Sequence, residues 1–514
     1  MTAAGEDAAD ADAREVGKSP WPWGETESLE LTREAVVRGL GFIYAVAFLV
    51  CVNQFRSLVG ADGLLPASRF LGFVRERLGP SAYVELPTLF WLSSKDWAFA
   101  LAAWTGLALS LWVLVGRANA VVLAALWALY TSFVSAGQVF YAYGWELLLL
   151  ESGFLAVFYV GRRAPPSVIV TWLFRWLVFR VMFGAGLIKL RGDPCWVELT
   201  CLVDHYQTQP NPGPLSPYFH ALPVAFQKGG VLVNHVVELV MPWFLFGPRR
   251  FRIAAGLSIV FFQVTLILSG NLSFLNWLTI VVALSAFDDA AFLRIAPRPV
   301  RDRLADWVTR RNASPAASKR RVIAVRGLAV VVGFLSLFPV VNMISPEQRM
   351  NGSFDPFHLV NTYGAFGSIE HERHEVILEG TWDDAASPDA RWQEYEFPCK
   401  PGDVRRRPCL VTPYHYRLDW QMWFAGLSSV RREPWIVKLV YELLRGNETV
   451  LRLLAKNPFS SRPPRFVRAV LYRYEFAHGS PPGAVWRRER VSEYLRPLSL
   501  GDPDLAEFLA ARGW

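Results

Sequence analysis

Apolar residues in this chain fall into long runs instead of the spacings of a soluble core. Runs of about 18 or more residues with few charges read as membrane-spanning helices. The pattern predicts nine spans, at 35–53, 97–115, 119–140, 145–160, 167–190, 231–247, 252–269, 272–287 and 322–344. The fourth and eighth are short, as tilted, re-entrant or bundle-buried segments would be. From Ser345 onward no run is long enough to span, and alternation takes over. "HEVILEGTW" (374–382), "RWQEYEF" (391–397) and "VRAVLYRYEFA" (467–477) read as strands. "WIVKLVYELLRG" (435–446) and "ETVLRLLAKNPF" (448–459) read as amphipathic helices, stopped by Gly446 and by Asn457-Pro458. The expected fold is an α-helical polytopic membrane bundle of about nine spans (35–344), followed by an α+β or β-rich soluble domain (345–514). Residues 1–34 are polar, acidic and Ala-rich. They read as a disordered tail, with Trp21 and Trp23 offering an alternative of docking at the interface. They lack the basic and apolar regions of a removable signal peptide.

Charge sets the orientation. The segment 294–326 carries ten Arg and Lys residues against Asp302 and Asp306, the strongest positive-inside signal in the chain. Placing it in the cytoplasm also places Arg249, Arg250 and Arg252, Arg162 and Arg163, Arg117 and the N-terminal tail inside. The loops 54–96 and 191–230, and everything after about 345, then lie on the non-cytoplasmic side. Composition agrees with a membrane protein: 52% hydrophobic, 14% aromatic and only 19% charged residues. The net charge of +8 lies mainly between apolar runs, which suits a lipid bilayer as partner and not nucleic acid.

That topology bears on four of the five cysteines. Cys195 and Cys201, and Cys399 and Cys409 in "CKPGDVRRRPC", fall on the outer side, where disulfides persist. Two local disulfides are predicted, Cys195–Cys201 and Cys399–Cys409, with Cys51 a buried free thiol. A zinc site of Cys195, Cys201, His205 and His220 is the alternative, with spacings unlike common fingers. A redox pair is another, and neither pair has the Cys-x-x-Cys spacing.

Ionisable residues inside spans are costly and often functional. Glu146, Glu151, Arg175, Arg180, Lys189, His235 and Glu238 form a candidate intramembrane polar cluster. Glu146 is expected to reach Lys189, and Glu151 to reach Arg180, either as packing ion pairs or as the lining of an outward-open cavity. His235 and Glu238 share a helix face and have the chemistry for acid–base work, with no nucleophile beside them. Walker, dinucleotide, G-x-S-x-G and H-E-x-x-H motifs are absent from the sequence, so no catalytic residue, cofactor or metal is predicted. His371 and His374 read as a solvated face. "DWQMWFAG" (419–426) is either core or a docking surface, with Trp420, Trp423 and Phe424 the candidate client-binding residues.

The chain contains the long strings "YGWELLLLESGFLAVF" (143–158), "WLFRWLVFRVMFGAGLIKLRGDPCWVELTCLVDHYQTQPNPGPLS" (172–216), "VNTYGAFGSIEHERHEVILEGT" (360–381) and "YEFPCKPGDVRRRPCLVTPYHYRLDWQMWFAG" (395–426). With others like them they resemble the lipase maturation factor family, in family order over most of 35–480. The resemblance implies a multi-pass membrane chaperone of protein folding that helps secreted lipases assemble. In a eukaryote it implies residence in the endoplasmic reticulum membrane, and in a bacterium the plasma membrane. The Ala/Arg/Val-rich bias looks bacterial. Asn351 and Asn447 stand in glycosylation sequons that matter only in a eukaryote. The membrane part also looks distantly like vitamin K-dependent carboxylases. The alternative is therefore an intramembrane enzyme acting on a lipid or a secreted polypeptide.

Overall fold

The computed structural model describes residues 27–161, 164–313, 317–477 and 482–514. The possible docking of Trp21 and Trp23 lies outside the described residues, as do Arg162 and Arg163. Among the described residues, six helices are long and apolar enough to cross a membrane: α1 (Glu30–Val59), α2 (Asp96–Leu114), α5 (Val168–Arg191), α6 (Val224–Phe246), α7 (Arg249–Ser269) and α10 (Lys319–Ile344). The other three predicted spans are helical but shorter, α3 (Ala120–Ala136), α4 (Gly144–Tyr159) and α8 (Leu275–Ala286). At 1.5 Å per residue a 16-residue helix such as α4 covers about 24 Å, short of a hydrocarbon core of about 30 Å. A count of nine full spans is therefore not met by length. Twelve of the sixteen residues of α4 are buried within the bundle.

Adjacent helices run antiparallel and pack closely. Gly41 of α1 abuts Val113 and Leu114 of α2, and farther along the ring of Phe48 occupies the space a Cβ on Gly106 would need. Small residues at such crossings let backbones approach where the hydrophobic effect cannot drive association. α1 starts at Glu30, inside the segment expected to be disordered. The reason is a cap from a distant element: the Asp289 carboxylate accepts from the N–H groups of Glu30 (3.1 Å) and Leu31 (2.8 Å). Two helices are interrupted by π-turns, Cys51–Phe55 in α1 and Val236–Val240 in α6. Both sit next to polar contacts described below.

The loops sort onto two poles. At one pole Arg33 donates to Gly161 O and Ala164 O, Arg249 and Arg252 reach Asp288, and Arg321 reaches Tyr159 O. The predicted basic loop here is largely helical, with Asp289–Ile295 and α9 (Arg298–Asn312) preceding α10. At the other pole lie the carboxyl end of α1, the 191–230 segment, the α7–α8 turn and residues after 345.

The chain after 345 forms an antiparallel four-stranded sheet of order β2-β1-β3-β4. The strands are β1 (Arg373–Thr381), β2 (Gln393–Glu394), β3 (Phe466–Phe476) and β4 (Trp486–Leu498). Helices α11 (Arg417–Gly426) and α12 (Trp435–Leu444) pack on it. β1 is covered on both faces. Val376 and Leu378 join the core shared with the bundle, whereas Ile377 meets Tyr474, Phe476 and Trp486. The predicted strand at 391–397 shrinks to two residues. The predicted helix at 448–459 stops at Leu451, because Ala455 and Lys456 turn to pair with Glu396.

Candidate functional site

The seven intramembrane candidates separate into distinct places. Glu151 and Arg180 pair, as expected from adjacent antiparallel helices, and both are fully buried. Their pair is completed from the C-terminal part of the chain. Asn361 N–H (3.0 Å) and the Tyr363 hydroxyl (2.8 Å) donate to Glu151, and Arg180 donates to Asn361 O (2.7 Å).

Glu146 does not meet Lys189. Its partner is Arg417 at 2.7 Å, at the start of α11, and both side chains are inaccessible. Tyr130 and Trp145 also donate to Glu146, and Arg417 donates to Phe140 O (2.7 Å) with its guanidinium 3.4 Å above the centre of the Tyr141 ring. The carboxylate is saturated by donors and the cation is covered by an aromatic face, which is how a buried pair offsets its desolvation.

Lys189 instead bonds both oxygens of Glu238 at 2.7 Å, with Asn234 bridging at 3.0 Å. The π-turn of α6 contains Glu238. His235 points elsewhere, to Trp196 O at 2.9 Å. Arg175 lies near the opposite pole and donates to Ser285 O at 2.9 Å. These groups are ion-paired or hydrogen-bonded within packed helices and do not converge on one cavity. The enzyme alternative required that convergence, so it loses its support.

A cleft of about 250 Å³ does exist, between the π-turn of α1 and the α11 region. It is lined by Asn53, Gln54, Tyr414, Tyr416, Asp419 and Arg452, among others, and by none of the seven. Burial lifts the Asp419 carboxyl to about 6, against the pull of the Lys400 and Cys399 N–H groups that bond it.

Both disulfides form as predicted, Cys195–Cys201 with Cα atoms 4.8 Å apart and Cys399–Cys409 at 5.5 Å. Cys51 is a buried free thiol that accepts from the Tyr141 hydroxyl at 3.3 Å. The zinc set does not assemble. Its cysteines are bonded to each other, and His205 and His220 pack against Phe366 and Phe476 respectively.

Residues that sequence reasoning missed fasten the two parts of the chain together. Arg373 of β1, almost fully buried, donates to the carbonyls of Gln207 (2.9 Å), Gln209 (2.5 Å) and Pro210 (3.0 Å). Asn271, in the α7–α8 turn, brackets the chain after Cys409 through its amide: to Cys409 O (2.9 Å) and from Val411 N (3.0 Å) and Thr412 N (3.1 Å). Gln54, in the α1 π-turn, donates to His415 O and accepts from Arg417 N. A buried Arg in an alternating strand, or a polar residue in an apolar run, was the available signal. The partner's identity was not.

The client-binding candidates are largely turned inward. Trp420 is 5% exposed, packed edge-on against Trp145 (4.7 Å between centroids) and Tyr143 (5.8 Å). It is a packing residue in this structure, not a free docking surface. Trp423 is half-buried and donates to Thr208 O at 2.9 Å. Phe424 is the most accessible of the three, at 37%.

His371 precedes β1 and is not helical; its Nδ1 meets Asp204 at 2.7 Å and its Nε2 faces Asp193 at 3.6 Å. The hydrogen bond to Asp204 raises its pKa, with Asp193 and Glu370 adding to the effect.

The match to known families follows this division of the chain. The lipase maturation factor transmembrane domain matches residues 31–294, and the lipase maturation factor C-terminal domain matches 359–496. The chain belongs to the lipase maturation factor family. Lipase maturation factor 1 of Mus musculus is 46% identical over 522 residues, covering 95% of this chain and 90% of the relative. The Homo sapiens protein of that name is 45% identical over 520 residues, 95% and 91% of the two chains. Lipase maturation factor 2 of Gallus gallus is 33% identical over 599 residues, 94% and 83% of the two. No solved structure is significantly similar to this chain. The family's two regions are the helical bundle and the sheet-bearing part that the buried contacts join.

Proposed function

We propose that this chain is a membrane-anchored maturation factor that assists folding and assembly of a secreted lipase or a similar secreted client. The observation that carries this reading is the near full-length similarity to proteins named lipase maturation factor 1. The structure supports the anchoring part. Charged groups within the bundle are spent on internal ion pairs and on holding residues 361, 363 and 417, which suits a rigid platform better than a catalytic cavity. The part after 345 lies on the non-cytoplasmic side in this reading, where a secreted client and both disulfides belong. The membrane is that of the endoplasmic reticulum in a eukaryote and the plasma membrane in a bacterium. Holding a partly folded client at that surface limits aggregation while its apolar segments are exposed.

The test is co-expression with a secreted lipase, scoring active lipase per mass of lipase released. Loss of this chain should leave lipase protein present but inactive. The double variant Trp423→Ala/Phe424→Ala should lower lipase co-purification with no loss of the folded factor. Unaltered lipase activity without the chain would contradict the function, and unaltered co-purification of the double variant would remove those two residues from the docking surface.

A further inference from the structure

The ten basic and two acidic residues of 294–326 give a net +8, equal to the formal net charge of the entire chain. The structure spreads them over the Asp289–Ile295 helix, which carries Arg294, α9 and the first turns of α10. α9 lies against the amino end of α1, burying Val308, while Arg298, Arg301, Arg303 and Arg310 are exposed. Lys319 and Arg320 are exposed too. Among the described residues, Arg298, Arg303, Arg310, Lys319 and Arg320 have no ion-pair partner. The buried Arg180, Arg373 and Arg417, by contrast, each meet a carboxylate.

The depth of this surface is fixed by its neighbours. Ile323 of α10 is 70% exposed and lies one turn beyond Lys319 and Arg320, so lipid-facing side chains begin about 5 Å from those cations. Ile295 (80%) and Val300 (45%) are exposed on either side of Arg298. On α9 the half-buried Trp307 ring carries the Arg311 guanidinium 5.0 Å from its centre. Exposed cations interleaved with apolar side chains, at the end of a spanning helix, describe an interfacial amphipathic element.

We propose that α9 and the first turn of α10 form a docking surface for anionic phospholipid headgroups. Arginine suits this role because its planar fork donates two parallel hydrogen bonds to a phosphate. A basic cluster beside a span is drawn to an anionic leaflet and held there by the apolar side chains flanking it. Nucleic acid is the poorer fit: single strands need exposed rings for stacking, and Trp307 is covered by Arg311.

The experiment uses the full chain in neutral detergent micelles, titrated with dioleoyl phosphatidylglycerol and read by native mass spectrometry. Arg298→Gln/Arg303→Gln/Arg310→Gln should weaken phosphatidylglycerol retention by about tenfold or more at low salt. Arg405→Gln/Arg407→Gln/Arg431→Gln removes the same charge from exposed positions of the C-terminal part and should leave retention unchanged. Monodisperse elution and unaltered helical circular dichroism show that each variant is folded. Equal losses in both triple variants, or no loss in the first, would overturn the proposal. So would displacement of the lipid by inorganic phosphate or by a single-stranded RNA at equal phosphate concentration.

Discussion

Two sets of arginines, one at each pole of the molecule, live in opposite worlds. At the pole formed by α9 and the start of α10, Arg298, Arg303 and Arg310 are exposed and lack ion pairs among the described residues. Toward the other pole Arg180, Arg373 and Arg417 are almost wholly removed from solvent, and each meets a carboxylate and at least one backbone carbonyl. An exposed arginine is solvated and serves whatever approaches from outside. A buried one is stable only with partners, so it reports which segments are fastened together. Here it reports that the part after 345 is built into the bundle, through contacts to α4, α5 and the 207–210 segment.

The largest effect should come from cutting one of those fastenings. Arg417→Ala leaves Glu146 buried without its cation and should cost about 3–5 kcal/mol in a denaturation experiment on the full chain. Removing both charges, in Glu146→Leu/Arg417→Met, should recover much of that loss. If the double variant is as unstable as the single one, the contrast between paired and solvated arginines fails. A smaller effect is expected from Cys195→Ser/Cys201→Ser, about 2 kcal/mol, because the closed loop is short. The bridge packs with Trp196, Val231 and Ile369, so the loss should appear first as faster amide exchange around those residues.

The smallest effect belongs to His371, which is exposed. Its pKa is raised in the folded chain, chiefly by Asp204, so the stability it contributes is complete below about pH 6.5 and is lost as pH rises through the raised value. His371→Ala should therefore flatten the pH dependence of thermal unfolding between pH 6 and 8 and leave stability at higher pH unchanged. A uniform drop at all pH values would show that the contact acts through packing instead.

Much of this was legible in the sequence where the signal was local. Apolar runs located all nine helices, since burial in lipid or in a bundle demands the same composition. That shared demand is also why three of them proved short. The Glu151–Arg180 pair followed from adjacent antiparallel helices, and both disulfides from short loops on one side. The partners of Glu146 and of Arg373 were not legible, because they lie 271 and 163 to 166 residues away and depend on how the last third of the chain folds back. Lys189 found Glu238 from a helix that a loop of some thirty residues separates from its own, which adjacency could not suggest. Strand β4 escaped notice because its exposed face is dense in Arg and Glu, and irregular register with β3 breaks the alternation. Trp420 in "DWQMWFAG" reads equally as core or as surface until the bundle's Tyr143 and Trp145 are in place.

The opposition of the poles is open to direct measurement. Four native cysteines are in disulfides and Cys51 is buried, so an introduced thiol is the accessible one. Arg405→Cys and Arg303→Cys each sit on an exposed surface, one near the Cys399–Cys409 bridge and one on α9. Applied outside intact bacterial spheroplasts, where the bundle lies in the plasma membrane, a membrane-impermeant maleimide should label Arg405→Cys at once and Arg303→Cys only after permeabilisation. Labelling of both from the same side, or of Arg303→Cys alone from outside, would contradict the account.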